Sequence, residues 1–463
     1  MNTIPTGIPG FDPLLYGGLT PGSCTLVEGV PGAGKTTFGL AFIYYGITEF
    51  DQPGVVVTFE QFPEQMYHDA AKFGWNLPIL EKQNQLRIIC TSPELLNEDG
   101  ETPSFLEEAI REIGAKRLLV DSITHFQSII PEEIERRRAV YSFRNALKRM
   151  GLTSVFVKEI QHGNELIPFE EYVVDGVIRL TNSENSNRQR NRFVEILKTR
   201  GQAHISGKHS FTIGQQGIEV FSVKALLRGR EEITTEVRPS TTGIKGLDEL
   251  LQGGFPGGTC TVVAGGAGTG KTILGFQFLV EGAISHREKG VYLSLEEHPD
   301  QIINNSGGFT WNLGEIVREG WINIFHSPPV DLNIDEIILR LGGMVKESGA
   351  SRVVVDSLPA LVANISDSSL IREKIFCLFN YLSSLGCTTL ILSNLSEKDE
   401  NGRFGVDESL ANGTIFLKST MERNRRIRYV EIYKMRGIKY VTGNHLMEIG
   451  RNGVQVFPRL REV

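Results

Sequence analysis

The sequence predicts the α/β class, as two tandem domains. Each is a mainly parallel sheet flanked by helices and extended by antiparallel strands at one edge. Three observations carry that prediction. A glycine-rich octapeptide occurs twice, at 29–36 and 265–272. Residue identities elsewhere repeat at a nearly constant offset. Within each repeat, short β-branched runs alternate with amphipathic ones, the pattern of a parallel sheet covered on both faces.

The offset is unambiguous. Lys271 minus Lys35 is 236, and the same difference separates Glu296 from Glu60, Trp311 from Trp75, Lys434 from Lys198 and Arg436 from Arg200, while Asp356 follows Asp121 by 235. The openings repeat as well: Thr6-Gly7-Ile8-Pro9-Gly10-Phe11-Asp12 against Thr242-Gly243-Ile244-Lys245-Gly246-Leu247-Asp248. Each copy is large enough to own a core, so this is a duplicated domain and not a solenoid. The polar segment 223–239, containing Arg228-Gly229-Arg230-Glu231-Glu232, reads as a linker between domains at 1–222 and 240–463.

Taken in order, the first copy opens its sheet with the apolar run Cys24-Thr25-Leu26-Val27, matched by Cys260-Thr261-Val262-Val263 in the second. Further strands are predicted at 55–59, 86–89, 117–120 and 154–157, and helices near 36–49, 64–73, 104–113 and 132–149. The runs at 176–180 and 193–198 follow one another without a helix between them. That places them as the antiparallel extension.

The two octapeptides are Gly29-Val30-Pro31-Gly32-Ala33-Gly34-Lys35-Thr36 and Gly265-Gly266-Ala267-Gly268-Thr269-Gly270-Lys271-Thr272. Both fit G-x-x-x-x-G-K-[ST], the phosphate-binding loop of nucleoside triphosphatases. Glycines at these positions let consecutive backbone N–H groups turn inward around phosphate oxygens. Lys35 and Lys271 bring charge to the β- and γ-phosphates, while the Thr36 and Thr272 hydroxyls are placed to ligate Mg²⁺. Thr37 and Ile273 follow in the first helical turn, whose dipole adds positive potential. One match in a chain with 50 glycines could be an ordinary turn. Strand, loop and helix in sequence, twice, select the phosphate loop.

Asp121 and Asp356 each end an apolar strand candidate, beside the crevice where a carboxylate can orient Mg²⁺ and its waters. Phe59-Glu60-Gln61 and Leu295-Glu296-Glu297 end another strand, and a carboxylate there can polarise an attacking water or hydroxyl. The halves differ at the second position, since Gln61 cannot accept a proton as a base. If the base is Glu60, the first domain hydrolyses. If it belongs at 61, that domain binds nucleotide and turns over poorly. Lys198-Thr199-Arg200 and Lys434-Met435-Arg436 put two cations on one face of a strand, either as fingers for a neighbour's γ-phosphate or as a basic edge that resists aggregation.

Over nearly its whole length the chain resembles the KaiC family, double-domain RecA-like ATPases of circadian and circadian-like systems. The matching text is 22–36, Glu49-Phe50-Asp51-Gln52-Pro53-Gly54-Val55, Phe73-Gly74-Trp75-Asn76-Leu77, Leu197-Lys198-Thr199-Arg200-Gly201 and Tyr433-Lys434-Met435-Arg436-Gly437. The resemblance implies two RecA-like P-loop NTPase domains, and two stacked homohexameric rings with ATP held between subunits. It further implies hydrolysis in the first ring and γ-phosphate transfer to Ser/Thr residues in the second. Glu60, Glu296 and Glu297 match the family's catalytic glutamates, and Lys198, Arg200, Lys434 and Arg436 the positions that reach a neighbouring subunit's ATP.

The chain also departs from the family. The adjacent Ser-Thr phosphorylation pair falls on Glu408-Ser409, leaving Ser409 as the candidate phosphoacceptor. Glu408 carries a fixed charge that imperfectly mimics phosphoserine, and another family threonine falls near Arg403. The sequence stops at Val463 without the extended tail that serves a KaiA-like activator, so that partner is not expected. A KaiB-like partner on the first ring stays compatible with the resemblance.

Composition bounds the rest. The net charge of −7 gives no global footprint for nucleic acid or anionic lipid. The opening residues lack a signal peptide's basic and apolar segments, and no apolar run is long enough to span a bilayer, so a cytoplasmic protein is expected. The five cysteines form no metal-type cluster and read as reduced, packed thiols. Trp75 and Trp311 read as core, and His125 and His162 as surface or packing residues. Two other functional readings stay open. The clusters Arg188-Gln189-Arg190-Asn191-Arg192 and Arg423-Asn424-Arg425-Arg426-Ile427-Arg428 could line the pore of a nucleic-acid motor or recombinase, although their place before the finger strands favours a hairpin at a subunit interface. Gln61 and Glu408 would also suit an ATP-gated scaffold with little turnover.

Overall fold

The computed structural model describes residues 3–92, 104–126, 130, 132–160, 169–184, 190–228, 238–328, 333–365, 367–394, 409–422 and 425–459. The chain divides into two compact units, 1–225 and 226–463. The first holds strands β1 (Cys24–Gly29), β2 (Gly54–Thr58), β3 (Leu86–Cys90), β4 (Arg117–Asp121) and β5 (Thr153–Glu159). It continues with β6 (Gly176–Glu184), β7 (Arg190–Thr199), β8 (Lys208–Gly214) and β9 (Gly217–Phe221). They form one nine-stranded sheet in the order β3-β2-β4-β5-β1-β6-β7-β8-β9. The strands from β3 to β6 along that order pair in parallel, and β7, β8 and β9 extend the sheet antiparallel.

Alternation along β1 explains why the whole strand is buried. Val27 joins the helix Lys35–Phe50 in one core, with Phe38, Phe42 and Leu119. Leu26 points to the other face, against Leu106, Phe143 and Leu147 of the helices Ser104–Ile113 and Glu133–Arg149. A parallel strand between two helical layers has no solvent face, so both parities are apolar.

The second unit repeats this with β10 (Cys260–Gly265), β11 (Gly290–Ser294), β12 (Ile322–His326), β13 (Arg352–Asp356) and β14 (Thr388–Asn394). Its antiparallel side adds β15 (Gly413–Glu422), β16 (Arg425–Met435), β17 (Asn444–Gly450) and β18 (Gly453–Phe457), in the corresponding order. The helix after its phosphate loop is Lys271–Glu281.

Three expectations need amendment. The antiparallel side carries a further hairpin in each unit, β8 with β9 and β17 with β18. Residues 223–228, assigned to the linker, form the helix Val223–Arg228, while 229–237 fall outside the described residues. Cys90 is exposed instead of packed; the other four cysteines are buried, and all five are free thiols. Trp75 is core, stacked on Tyr44 at a 5.4 Å ring separation. Among the described residues, no helix is long and apolar enough to cross a membrane.

The repeated opening has a structural cause. Asp12 accepts hydrogen bonds from the Thr6 amide (2.8 Å), the Thr6 hydroxyl (2.7 Å) and the Gly7 amide (3.0 Å). Asp248 accepts one from the Thr242 amide at 2.8 Å. The turn so closed is pinned from below by a buried arginine at the start of β4 or β13. Arg117 donates to the carbonyls of Pro5 (2.6 Å) and Phe42 (2.7 Å), and Arg352 to those of Thr241 (2.7 Å) and Phe278 (2.8 Å).

Candidate functional site

Each phosphate loop leaves the C-terminal end of the central strand, β1 or β10, and turns directly into a helix. Gly34 and Gly270 stand just before the first helical residue with φ of 99° and 103°, a region that side chains rarely adopt. The neighbouring hairpin closes the space as well. A Cβ on Gly34 would lie 2.7 Å from Ile213 Cδ1 of β8, and one on Gly270 2.8 Å from Ile449 Cδ1 of β17. Gly29 and Gly265 face a different obstacle, the carbonyls of Leu180 and Leu417 on the adjoining strand. Gly32 and Gly268 complete the loops, and Thr37 and Ile273 lie in the first turns of the helices.

In the first unit a cavity of about 360 Å³ opens over the loop, lined among others by Lys35, Thr36, Glu60, Asp121, His125 and Glu159. Lys35 Nζ donates to the Val30 carbonyl (3.1 Å) and stands 3.5 Å from Glu159 Oε1 at the end of β5. Lys271 Nζ donates to the carbonyls of Gly265 (2.8 Å) and Gly266 (3.0 Å). Burial lowers the Lys271 ammonium's pKa, against the pull of Asp356 and Glu296.

Asp121 and Asp356 end β4 and β13 beside the loop threonines, and each is joined to the next serine by a cis peptide. Burial raises the Asp121 carboxyl above its ordinary range, opposed by a hydrogen bond from Thr36 and the charge of Lys35. Asp356 is raised by burial too, opposed by hydrogen bonds from Tyr292 and Thr272. Both bonds reach one oxygen: Thr272 Oγ1 lies 2.9 Å and Tyr292 Oη 2.5 Å from Asp356 Oδ2. The strand pairing sets Tyr292 on β11 level with Val354 of β13. Val56 occupies the equivalent place in the first unit, so the tyrosine bond belongs to the second site.

The paired glutamates are held by different donors. Glu60 Oε1 lies 3.0 Å from His125 Nε2. Glu296 Oε1 accepts from the Ser357 hydroxyl at 2.9 Å. At the following position, the Gln61 amide donates to Thr58 Oγ1 (3.2 Å), and the Glu297 amide to Ser294 Oγ (3.2 Å). The Glu297 carboxylate lies 3.5 Å from Asn305 Nδ2.

Sequence reasoning passed over His125. Its signal was the position: four residues beyond Asp121, where the other copy has Ala360, four residues beyond Asp356. Tyr292 was missed for a similar reason, because a tyrosine inside a β-branched run reads as packing. The second basic cluster also has a use in the chain itself, since Arg428 Nε donates to the Gly268 carbonyl of the phosphate loop at 3.2 Å. Residues 188–189 and 423–424 of the two clusters lie outside the described residues, as do His162, Arg403 and Glu408.

The remaining site candidates sit at the other end of the sheet. Thr199 is in register with Gly176 and Thr25, near the start of β1, which puts Lys198 and Arg200 at the end of the strand opposite their own loop. Lys198 Nζ donates to the carbonyls of Glu171 (2.6 Å) and Val174 (2.9 Å), and Arg200 Nη2 to that of Tyr172 (2.8 Å). Burial lowers the Lys198 pKa, with Arg200 adding to the effect. In the second unit Lys434 Nζ donates to the Ala411 carbonyl at 2.8 Å, and the Arg436 amide to that of Asn412 at 2.9 Å. Ser409, exposed, lies just before these residues; the Asn412 amide bonds the Cys260 carbonyl at the start of β10.

A family model described as KaiC, of the ATPase class, matches residues 4–225 and again 240–461. The chain is 32% identical over 448 residues to the circadian clock oscillator protein KaiC of Prochlorococcus marinus (strain MIT 9313), an alignment covering 94% of this chain and 88% of that one. To the protein of the same name from Parasynechococcus marenigrum (strain WH8102) it is 31% identical over 466 residues, covering 98% and 90%. The Synechococcus elongatus protein is similar at 32% over 446 residues, covering 93% and 84%.

Proposed function

The chain belongs to the KaiC family of ATPases, and from that premise we propose that each domain, at 1–222 and 240–463, binds ATP with Mg²⁺. Thr36 with Asp121, and Thr272 with Asp356, would hold the ion. Hydroxyl and carboxylate oxygens already hydrogen-bonded to each other at the loop are the hard donors that Mg²⁺ takes. The ion, when bound, neutralises charge on the β- and γ-phosphates.

In the first domain Glu60 accepts a proton from water while the water oxygen bonds to the γ-phosphorus. The bond to the bridging oxygen breaks, releasing ADP and phosphate. In the second domain Glu296, with Glu297 beside it, does the same for water or for the hydroxyl of Ser409.

One observation carries the rest of the reading. Lys198, Arg200, Lys434, Arg436 and Ser409 lie at the strand end opposite their own phosphate loops. Five residue steps along β1 or β10 span about 17 Å, beyond the reach of a lysine or arginine side chain. These groups therefore act on the nucleotide of a neighbouring copy, in ATP-dependent homohexameric rings. The resulting protein is a circadian, circadian-like or stress regulator, with a KaiB-like protein as the partner expected on its first ring.

Light scattering with and without ATP, coupled to phosphate release from the same sample, tests this reading. ATP is expected to drive ring assembly with measurable turnover, and Lys35→Ala together with Lys271→Ala to abolish ADP production. Unchanged ADP production in the double variant refutes the assignment of both sites. With γ-labelled ATP, equal label in the parent and in Ser409→Ala removes Ser409 as the acceptor.

A further inference from the structure

We propose that His125 is the positioning residue for Glu60 in first-domain hydrolysis, a place taken by a serine hydroxyl in the second domain. The inference rests on reading the first domain as an ATP hydrolase. Its basis is the contrast between two equivalent glutamates. Glu296 is held by Ser357, a hydroxyl that does not titrate, at 2.9 Å. Glu60 is held by His125 Nε2 at 3.0 Å. Position 360, the counterpart of 125, is an alanine, so no imidazole can serve the second site from there.

The fold fixes the imidazole's place. His125 ends the short turn Ile123–His125 that follows β4. Thr124 Oγ1 within this turn accepts the Glu159 amide of β5 at 2.9 Å. Phe59, the residue before Glu60, meets the imidazole edge-on with ring centroids 6.0 Å apart. The charged groups facing the same cavity are Glu60 from the end of β2, Asp121 from β4, Glu159 from β5 and Lys35 from the phosphate loop. With Gln61 next in sequence, Glu60 has no second carboxylate beside it to share its work.

The chemistry follows from the donor. An ionised carboxylate only accepts hydrogen bonds, so Nε2 carries the proton in this pair. That bond fixes one oxygen of Glu60 and leaves the other to accept the water proton.

The test uses the full chain carrying Lys271→Ala, so that turnover reports the first site, with phosphate release followed over a range of ATP concentrations. His125→Ala is expected to lower kcat on the order of tenfold with KM for ATP unchanged. His125→Asn supplies an N–H donor that does not titrate. It is expected to restore most of kcat. The inference is overturned if His125→Asn is as slow as His125→Ala, or if His125→Ala matches the parent in both kcat and KM. Adding Lys35→Ala separates the two levels. If it leaves the rate intact, the hydrolase reading itself has failed, whatever His125 does.

Discussion

Tyr292 is where the two copies differ most sharply in chemistry. Its ring is 1% exposed and stacked on Phe276 at 4.1 Å, so the hydroxyl has little freedom to leave Asp356. Burial and the adjoining carboxylate push the phenol well above its ordinary pKa, which keeps it a donor. A donor on one oxygen of a metal-facing carboxylate orients the other, and losing such a partner typically costs about 10- to 100-fold in metal affinity. Tyr292→Phe, in a Lys35→Ala background, is therefore expected to raise the Mg²⁺ concentration needed for fluorescent ATP-analogue binding at the second site by about tenfold. An unchanged Mg²⁺ titration would show that Asp356 is oriented by Thr272 alone. The grouping of the loop lysines, threonines and strand-end aspartates was legible because the order of strand, loop and helix fixes their spacing. Tyr292 and His125 were not, because each acts through a partner on another strand or turn, and spacing along the chain carries no trace of that.

At the scale of elements, the parallel half of each sheet could be read from alternation, and the outer hairpins could not. β8 has His209 and Ser210 on its buried stretch, and Ser222 hydrogen-bonds His209 Nδ1 at 2.9 Å. A strand whose interior positions are polar gives no period-two apolar signal. Yet it supplies Ile213, which backs the phosphate loop at Gly34. Arg117 was hidden in the same way. It begins an apolar strand and looks like a solvated strand end, but it is fully buried, with carbonyl partners 75 and 112 residues away in sequence. Burial lowers its pKa to about 10, with Asp12 opposing the fall, so it remains charged at neutral pH. Replacing it with leucine strips donors from the Pro5 and Phe42 carbonyls and from Gln52 Oε1, 2.8 Å away. Arg117→Leu is expected to cost about 3 kcal/mol, read as a lower urea midpoint for the first domain. Loss of less than about 0.5 kcal/mol would mean that water satisfies those acceptors and that the arginine is no anchor.

For the whole molecule, duplication was legible because the 236-residue offset survives in loops, strand ends and openings alike. A site shared between protomers was implied by the resemblance alone, since no pattern within one chain records its neighbour. The strand geometry makes that question answerable by mixing. If Arg200 serves an adjacent copy, Lys35→Ala has a dead loop but an intact finger, while Arg200→Ala has an intact loop but a dead finger. Both variants would carry Lys271→Ala to silence the second site, and each alone should be nearly inactive. A ring built head to tail places one protomer's loop against the next protomer's finger at every interface. In rings assembled from equal amounts of the two variants, about a quarter of interfaces then combine an intact loop with an intact finger. Phosphate release is expected to rise to roughly that fraction of the Lys271→Ala parent. It should do so only when the proteins are mixed before ATP-driven assembly. Activity that stays at the average of the two single variants would mean that Arg200 completes no neighbour's site. The opposite-end placement of the cations would then reflect a basic sheet edge and nothing more.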